Sequence, residues 1–343
     1  MKNLDWPKIW GDLGDRIKKK PNRLEVAKVR ATQTNPWFTA AHIAYALDAI
    51  TEQFLNENAV RTWLQNYEMN GAVTNPLNVG LICAGNIPLV GMHDIICVLT
   101  SGHRALIKLS SKDALLIPAV MEVLVEIYPE VKSHFEFVEQ LNGHDAVIAT
   151  GSNNSLRYFK SYFGHLPHIF RNNRTSIGII HATDTVKDLK PMAEDIFIHF
   201  GLGCRNISKL LIPKGFDLDI LFEASVSFGQ YKLHSKYNNN FIYHTALFQM
   251  NKVNYFTNDL FILLETEELH APLSVIYYEK YDEISNVASH INEIDAQLQV
   301  IYSTHEIDGL NTTKPGRGQK PGLADYPDQK DVLRFLLELN ESA

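Results

Sequence analysis

Hydrophobic and polar positions alternate with one rhythm over the first part of the chain and another over the rest. Up to about residue 75 the apolar residues fall at helical spacing. Trp37, Phe38, Ile43, Leu47, Ile50 and Phe54 form an irregular stripe that predicts a helix over 40–56. Asp5-Trp6-Pro7 puts a capping residue and an early proline where a first helix would start. The stretch from Asn70 to Asn78, rich in Gly, Pro and Asn, reads as a loop or boundary. From Val79 onward short apolar runs replace long stripes. Val79-Gly-Leu-Ile-Cys-Ala, Arg104-Ala-Leu-Ile-Lys-Leu, Phe135-Glu-Phe-Val and Ala146-Val-Ile-Ala read as strands. Helices are predicted between them: one opened by Pro88 and running through Leu99, one over 115–127, and one over 155–163 capped by Thr150-Gly151-Ser152-Asn153-Asn154.

Strands that alternate with helices, with polar or glycine-bearing turns at the strand ends, predict a parallel doubly wound α/β sheet. Ligands bind such sheets beyond the carboxyl ends of the strands. A further strand is predicted over 176–181 and a helix over 187–200, then strands at 208–213, 272–278 and 298–303. Helices are predicted over 218–228, 284–294 and 331–339, with 255–265 extended and 312–326 irregular. The expected division is an N-terminal helical segment (1–75) packed on a cofactor domain (76–182), then a smaller catalytic α/β domain (183–310) and a C-terminal segment (311–343).

Composition narrows the class without choosing an activity. With 343 residues the chain has room for about two domains with real cores. A net charge of −7 argues against general nucleic-acid or membrane-surface binding. No apolar run reaches spanning length and the N-terminus lacks a signal pattern, so a cytoplasmic protein is expected. Cys83, Cys97 and Cys204 cannot all pair and lack metal-ligand spacing, which predicts reduced thiols and no metal. Cys83 and Cys97 sit on apolar runs and read as core.

Cys204 differs. It stands in His199-Phe-Gly-Leu-Gly-Cys-Arg-Asn-Ile-Ser-Lys-Leu, where an amphipathic run gives way to a polar segment. Gly201 and Gly203 permit a sharp turn and close approach of a ligand. If Cys204 opened a helical turn, unpaired backbone N–H groups would lower its thiol pKa. The alternative is a small buried core cysteine.

No Gly-x-Gly-x-x-Gly follows the first strand, so an ordinary dinucleotide fold is not indicated. Other stretches occur in a telling order. Ala84-Gly85-Asn86-Ile87-Pro88 resembles the Pro-Trp-Asn-Phe-Pro of the aldehyde dehydrogenase superfamily. Ile107-Lys108-Leu109-Ser110-Ser111 resembles its Val-Lys-Pro-Ser-Glu, and Ala149-Thr150-Gly151-Ser152 its Phe-Thr-Gly-Ser. Gly203-Cys204 resembles the nucleophile segment, and Glu267-Glu268-Leu269-His270-Ala271-Pro272-Leu273 resembles Glu-Glu-Ile-Phe-Gly-Pro-Val. Where the superfamily has Glu-Leu-Gly-Gly, whose glutamate activates hydrolytic water, this chain reads Ile169-Phe-Arg-Asn-Asn-Arg-Thr-Ser, with no carboxylate. Together with Gly85-Asn-Ile-Pro-Leu-Val and His93-Asp94, that departure resembles the acyl-CoA reductase family typified by the LuxC reductases.

The resemblance implies an aldehyde-dehydrogenase-like fold and reduction of a fatty acyl-CoA to the aldehyde with NADPH, or possible use of NADH. Cys204 would carry the acyl group as a thioester. Asn86 would donate to the oxyanion with the Cys204 backbone N–H; its alternative role is a cap or turn. Lys108 would hold the adenosine ribose. Ser111, beside Lys112, replaces a glutamate of NAD-specific relatives and would accept a 2′-phosphate. Gly151 and Ser152 would approach the cofactor or simply cap a helix. Glu268 would hold the nicotinamide ribose. Arg171 and Arg174 would face CoA phosphates or form ion pairs, and His165, His168, His199 and Glu194 are candidate acids or bases. At least a homodimer is implied. Competing readings are an acyl-phosphate reductase, a non-acylating aldehyde dehydrogenase and a catalytically silent scaffold.

Overall fold

The computed structural model describes residues 4–68 and 75–341. Most of the predicted boundary over 70–78 therefore lies outside the described residues. The chain divides into two compact units, Met1–Asn173 with Lys320–Ala343, and Arg174–Gln319.

The first unit opens with α1 (Trp6–Lys18), α2 (Asn22–Thr34), α3 (Ala40–Gln53) and α4 (Glu57–Leu64). Asp5 caps α1 by accepting from the Lys8 N–H, and Pro7 occupies the first turn, where its missing N–H costs no bond. Next come β1 (Asn78–Ile82), α5 (Met92–Thr100), β2 (Arg104–Lys108), α6 (Leu116–Ile127), β3 (Phe135–Phe137), β4 (Ala146–Thr150), α7 (Asn153–Phe163) and β5 (His168–Arg171). The strands lie in the order β3-β2-β1-β4-β5, and every pairing is parallel. Every residue of α5 is buried, including His93, Asp94 and Thr100, whose polar groups find partners within the unit. The N-terminal helices join this core. Trp10 is fully buried and its indole N–H donates to Thr100 Oγ1 on α5, 3.0 Å away.

The second unit holds β6 (Thr175–Ile179), α8 (Val186–Phe197), β7 (Ile207–Pro213), α9 (Leu218–Ala224), α10 (Ser235–Met250), β8 (Phe256–Thr257), β9 (Ile262–Glu265), β10 (Val275–Tyr281), α11 (Ile284–Ile294) and β11 (Leu298–Ser303). Its sheet runs β11-β6-β7-β10-β9-β8, parallel except for the β8–β9 edge. The closing helix α12 (Val332–Glu341) returns to the first unit, where Val332, Leu333 and Leu336 are fully buried in the core. This is the α/β architecture predicted: a doubly wound parallel sheet plus a second, smaller α/β unit.

Several boundaries move. The 176–181 run, expected within a cofactor domain ending at 182, hydrogen-bonds to β7 and β11 and so belongs to the second sheet. Residues 311–319, expected in a separate C-terminal segment, join the second unit, with Thr313 bonded to β11. Pro88 does not open a helix. It sits in a turn, and α5 starts at Met92. The helix expected over 187–200 ends at Phe197, because His199, Phe200 and Gly201 take left-handed backbone angles. Two elements carry little sequence signal. β5 has a short apolar content, and α10 spreads its apolar residues around the helix and buries only Tyr237.

Candidate active site

In the first sheet the chain order reverses between β1 and β4, and a crevice at that point is the expected ligand position. The carboxyl end of β2 carries Lys108, and the loops leaving β1, β2 and β4 at this edge carry Asn86, Ser111, Gly151 and Ser152. The fold therefore gathers residues spread over 86–152 onto one edge of one sheet.

Asn86 lies in the bend after β1. The loop is held from below: Leu89 has a φ of 61°, and its N–H donates to the Asp113 carboxylate at 2.7 Å. Burial pushes the Asp113 carboxyl up to about 6, against the pull of the Leu89 and Leu116 N–H groups. Gly85 is packed so closely on Ser110 that a Cβ would meet that side chain at 2.6 Å, which ties the β1 loop to the β2 loop. Lys108 ends β2, and its ammonium donates to the Glu139 carbonyl. Ser111 and Lys112 are exposed in the short 3-10 turn Ser111–Asp113, which Ser110 caps. Ser152 is the N-cap of α7, accepting from the Ser155 N–H at 3.3 Å, and the Gly151 N–H donates to the Arg171 carbonyl.

The arginines of the 169–176 segment are also accounted for. Arg171, at the end of β5, is 4% exposed and forms a two-pronged ion pair with Asp94 at 2.7 and 2.8 Å. It is thereby committed to the core rather than to a ligand phosphate. Burial opposes the charge on Asp94, but Arg171 overcomes it and holds the carboxyl well below the ordinary range. Arg174 donates to the Leu298 carbonyl at 2.9 Å.

In the second unit Cys204 is exposed, whereas Cys83 and Cys97 are buried. It does not open a helix. It occupies a four-residue turn, Gly203 to Asn206, that leads directly into β7. Asn206 is 3% exposed and ties this turn together. Its Oδ1 accepts from the Gly203 N–H at 2.7 Å, and its Nδ2 donates to the Asp195 and Ile198 carbonyls at 2.8 and 2.9 Å. The next two carbonyls are fixed from neighbouring strands. Ser176 on β6 donates to the Cys204 carbonyl at 2.9 Å, and Tyr302 on β11 donates to the Arg205 carbonyl at 2.9 Å.

Glu268 is exposed in the loop after β9 and is hydrogen-bonded to Tyr277; burial first, then that carboxylate, push the Tyr277 phenol up. The loop is drawn back toward the start of β7. Lys209, 2% exposed, donates to the Glu267 carbonyl at 2.8 Å and to Glu279 at 2.7 Å, while Ser208 donates to the Leu269 carbonyl. Among the candidate bases, His199 is buried and Glu194 is exposed. His165 and His168 are exposed, and His168 stacks on Phe170.

One group went unnoticed in the sequence. Asp195 is 1% exposed on α8, and its carboxylate accepts from the Gly316 and Gly318 N–H groups at 2.6 and 2.9 Å. Burial raises its carboxyl to about 7, the two N–H donors lower it and Glu194 raises it. The available signal was a carboxylate three residues after Met192, within the apolar stripe of that helix. Among the described residues no group of His, Cys, Asp and Glu could hold a metal ion, and no helix is long and apolar enough to cross a membrane.

No protein-family model and no curated protein matches the sequence. Solved structures do match. Aldehyde dehydrogenase 21 from Physcomitrella patens, in complex with succinate, superposes with a TM-score of 0.65 at 10% identity, over 97% of this chain and 83% of that one. An aldehyde dehydrogenase from Mycobacterium tuberculosis complexed with NAD+ gives 0.62 at 14% identity, over 87% and 72%. A putative aldehyde dehydrogenase from Burkholderia cenocepacia gives 0.61 at 13% identity, over 87% and 73%. The chain thus has the aldehyde dehydrogenase fold.

Proposed function

We propose that this protein is an oxidoreductase that reduces an acyl-CoA thioester, of a fatty acid by preference, to the aldehyde with NADPH. The observation that carries the reading is the exposed Cys204 on a braced turn, in a fold whose β5–β6 junction offers no carboxylate to activate water. The Cys204 thiolate attacks the thioester carbonyl, and the carbon–sulfur bond to CoA breaks as CoA leaves as a thiolate. Asn86 serves as a donor to the oxyanion. NADPH, when bound, supplies a hydride to the acyl carbon. Cys204 then leaves as thiolate, and acyl-CoA, NADPH and a proton have become aldehyde, CoA and NADP+.

The loops at the first sheet's edge suit a polyanionic dinucleotide. The Lys108 ammonium, the exposed Ser111 and Lys112, and the N-terminus of α7 beside Gly151 and Ser152 offer cationic and donor groups. Ser111 and Lys112 favour a 2′-phosphate over a bare ribose diol, hence NADPH over NADH. Glu268 is assigned to the nicotinamide ribose. We also propose a homo-oligomer. Ile242, Tyr243, Leu247 and Met250 of α10 are 37–82% exposed, and no charged residue lies between Lys236 and Lys252, as in interface cores.

A screen of acyl-CoA chain lengths with NADPH, read by absorbance loss, tests the reading. Activity with acyl phosphate and no CoA ester would replace it with an acyl-phosphate reductase. Oxidation of free aldehyde without CoA would replace it with a non-acylating dehydrogenase. Failure to bind any nicotinamide cofactor would point to a silent scaffold.

A further inference from the structure

The segment Pro315–Gly318 has no part in the chemistry above, yet its backbone is tied to the buried end of α8. Asp195 accepts from the N–H groups of Gly316 and Gly318 with its two carboxylate oxygens. Thr313, just before it, is bonded to β11 through its N–H to the Ile301 carbonyl and its carbonyl to the Ser303 N–H. Gly318 lies so close to Tyr302 that a Cβ there would collide with the phenol oxygen. That same oxygen donates to the Arg205 carbonyl. The main-chain carbonyl of Asp195 is bound by Asn206, whose side chain also fixes the Gly203 N–H. Two routes therefore lead from 316–318 to the peptides flanking Cys204: through Asp195 and Asn206 on one side, and through Tyr302 on the other.

We infer that Asp195, Asn206 and Tyr302 are positioning residues that make the Gly316–Gly318 turn part of the scaffold orienting Cys204. The inference rests on the reading of Cys204 as the nucleophile. A turn has few internal bonds to hold it, so its peptide planes are set by what grips its carbonyls and N–H groups from outside. Here the Gly203 N–H and the Cys204 and Arg205 carbonyls are all gripped by side chains at least nine-tenths buried or standing on sheet strands. A nucleophile held in a near-attack orientation reacts faster than a loose one of equal basicity. The bonds of Asp195 run to Gly316, Gly318 and Asn206, and its effect on Cys204 passes through them.

Two variants separate the routes. Tyr302→Phe deletes one hydroxyl, and Asp195→Asn keeps the shape while replacing one acceptor by a donor that opposes an N–H. The expected result is a tenfold or greater loss of the single-turnover rate of Cys204 acylation by acyl-CoA in each. NADPH affinity should stay within twofold, and Cys83 and Cys97 should remain protected from iodoacetamide. Hydrogen exchange supplies a readout independent of the reaction: Asp195→Asn should speed exchange at 203–206 as well as at 316–318. Exchange altered at 316–318 alone, with acylation at the wild-type rate, would overturn the inference. If the wild-type protein is not acylated at Cys204 at all, the functional reading fails, and the exchange result still decides whether the two turns are coupled.

Discussion

Asp94 and Asp195 are both carboxylates buried beneath loops that carry candidate site residues, one in each unit, and they are held in opposite ways. Asp94 faces the Arg171 guanidinium in a two-pronged contact, and the pair keeps it ionised far below the ordinary carboxylate range. Asp195 accepts from two backbone N–H groups, those of Gly316 and Gly318, and burial lifts its carboxyl to about 7. A full charge can overcome the cost of desolvation, whereas two peptide dipoles do so only in part. The first unit thus has a fixed strut under its β1 loop, and the second has a clasp that takes up a proton near neutrality.

Breaking the strut should have the largest effect. Arg171→Met leaves Asp94 charged in the core without its two-pronged partner and with His93 3.9 Å away, which costs up to about 3–5 kcal/mol. Urea denaturation measures it, and the double variant Arg171→Met with Asp94→Leu should recover most of the loss. No recovery would mean that Arg171 stabilises by packing rather than by pairing.

The clasp should show itself through pH. Its folded pKa of about 7 lies above the unfolded value near 3.8. The contribution of Asp195 to stability is therefore full at low pH and is lost as pH rises from about 4 to 7. Against Asp195→Asn, the wild-type advantage in urea should shrink over that range by an amount on the order of a few kcal/mol. The same comparison for Asp94→Asn should stay flat from about pH 5 to 6, where that carboxyl is ionised in the folded and the unfolded chain and the neighbouring His93, whose pKa Asp94 helps to raise, keeps its proton in the folded protein. Parallel curves for the two variants would erase the distinction.

The smallest expected change is in Tyr302→Phe, which loses the hydrogen bond to the Arg205 carbonyl. It should cost about 1 kcal/mol of stability. A small stability loss beside a large loss of Cys204 acylation would mark the bond as one of orientation rather than of folding.

Much of the first unit was legible in the sequence, for a physical reason. Parallel strands buried on both faces read as short unbroken apolar runs, so β1, β2 and β4 stood out, as did the polar turns at their ends. The domain limits were less legible because the 176–181 run looks like any other buried strand, and only its pairing with β7 and β11 assigns it to the second sheet. The left-handed backbone at His199 and Phe200 was invisible, since neither residue type announces it. Cys204 and its neighbours could be singled out as a motif. The supports from Ser176, Asp195, Tyr302 and Gly318 could not, because they converge on the turn only once β6, α8 and β11 have packed.

Under the proposed function, Cys204 forms an acyl-enzyme that this protein reduces and does not hydrolyse. General-base assistance is typically worth about 10²–10⁴-fold, and the β5–β6 junction has arginines and asparagines where that base would stand. The direct measurement is a single turnover with labelled acyl-CoA, with and without NADPH, on the wild-type protein and on Cys204→Ala. The expected result is stoichiometric label on Cys204, a long-lived intermediate without NADPH, rapid conversion to aldehyde with it, and no label on the variant. Label released mainly as free acid at a rate comparable to reduction, or retained by Cys204→Ala, would contradict it.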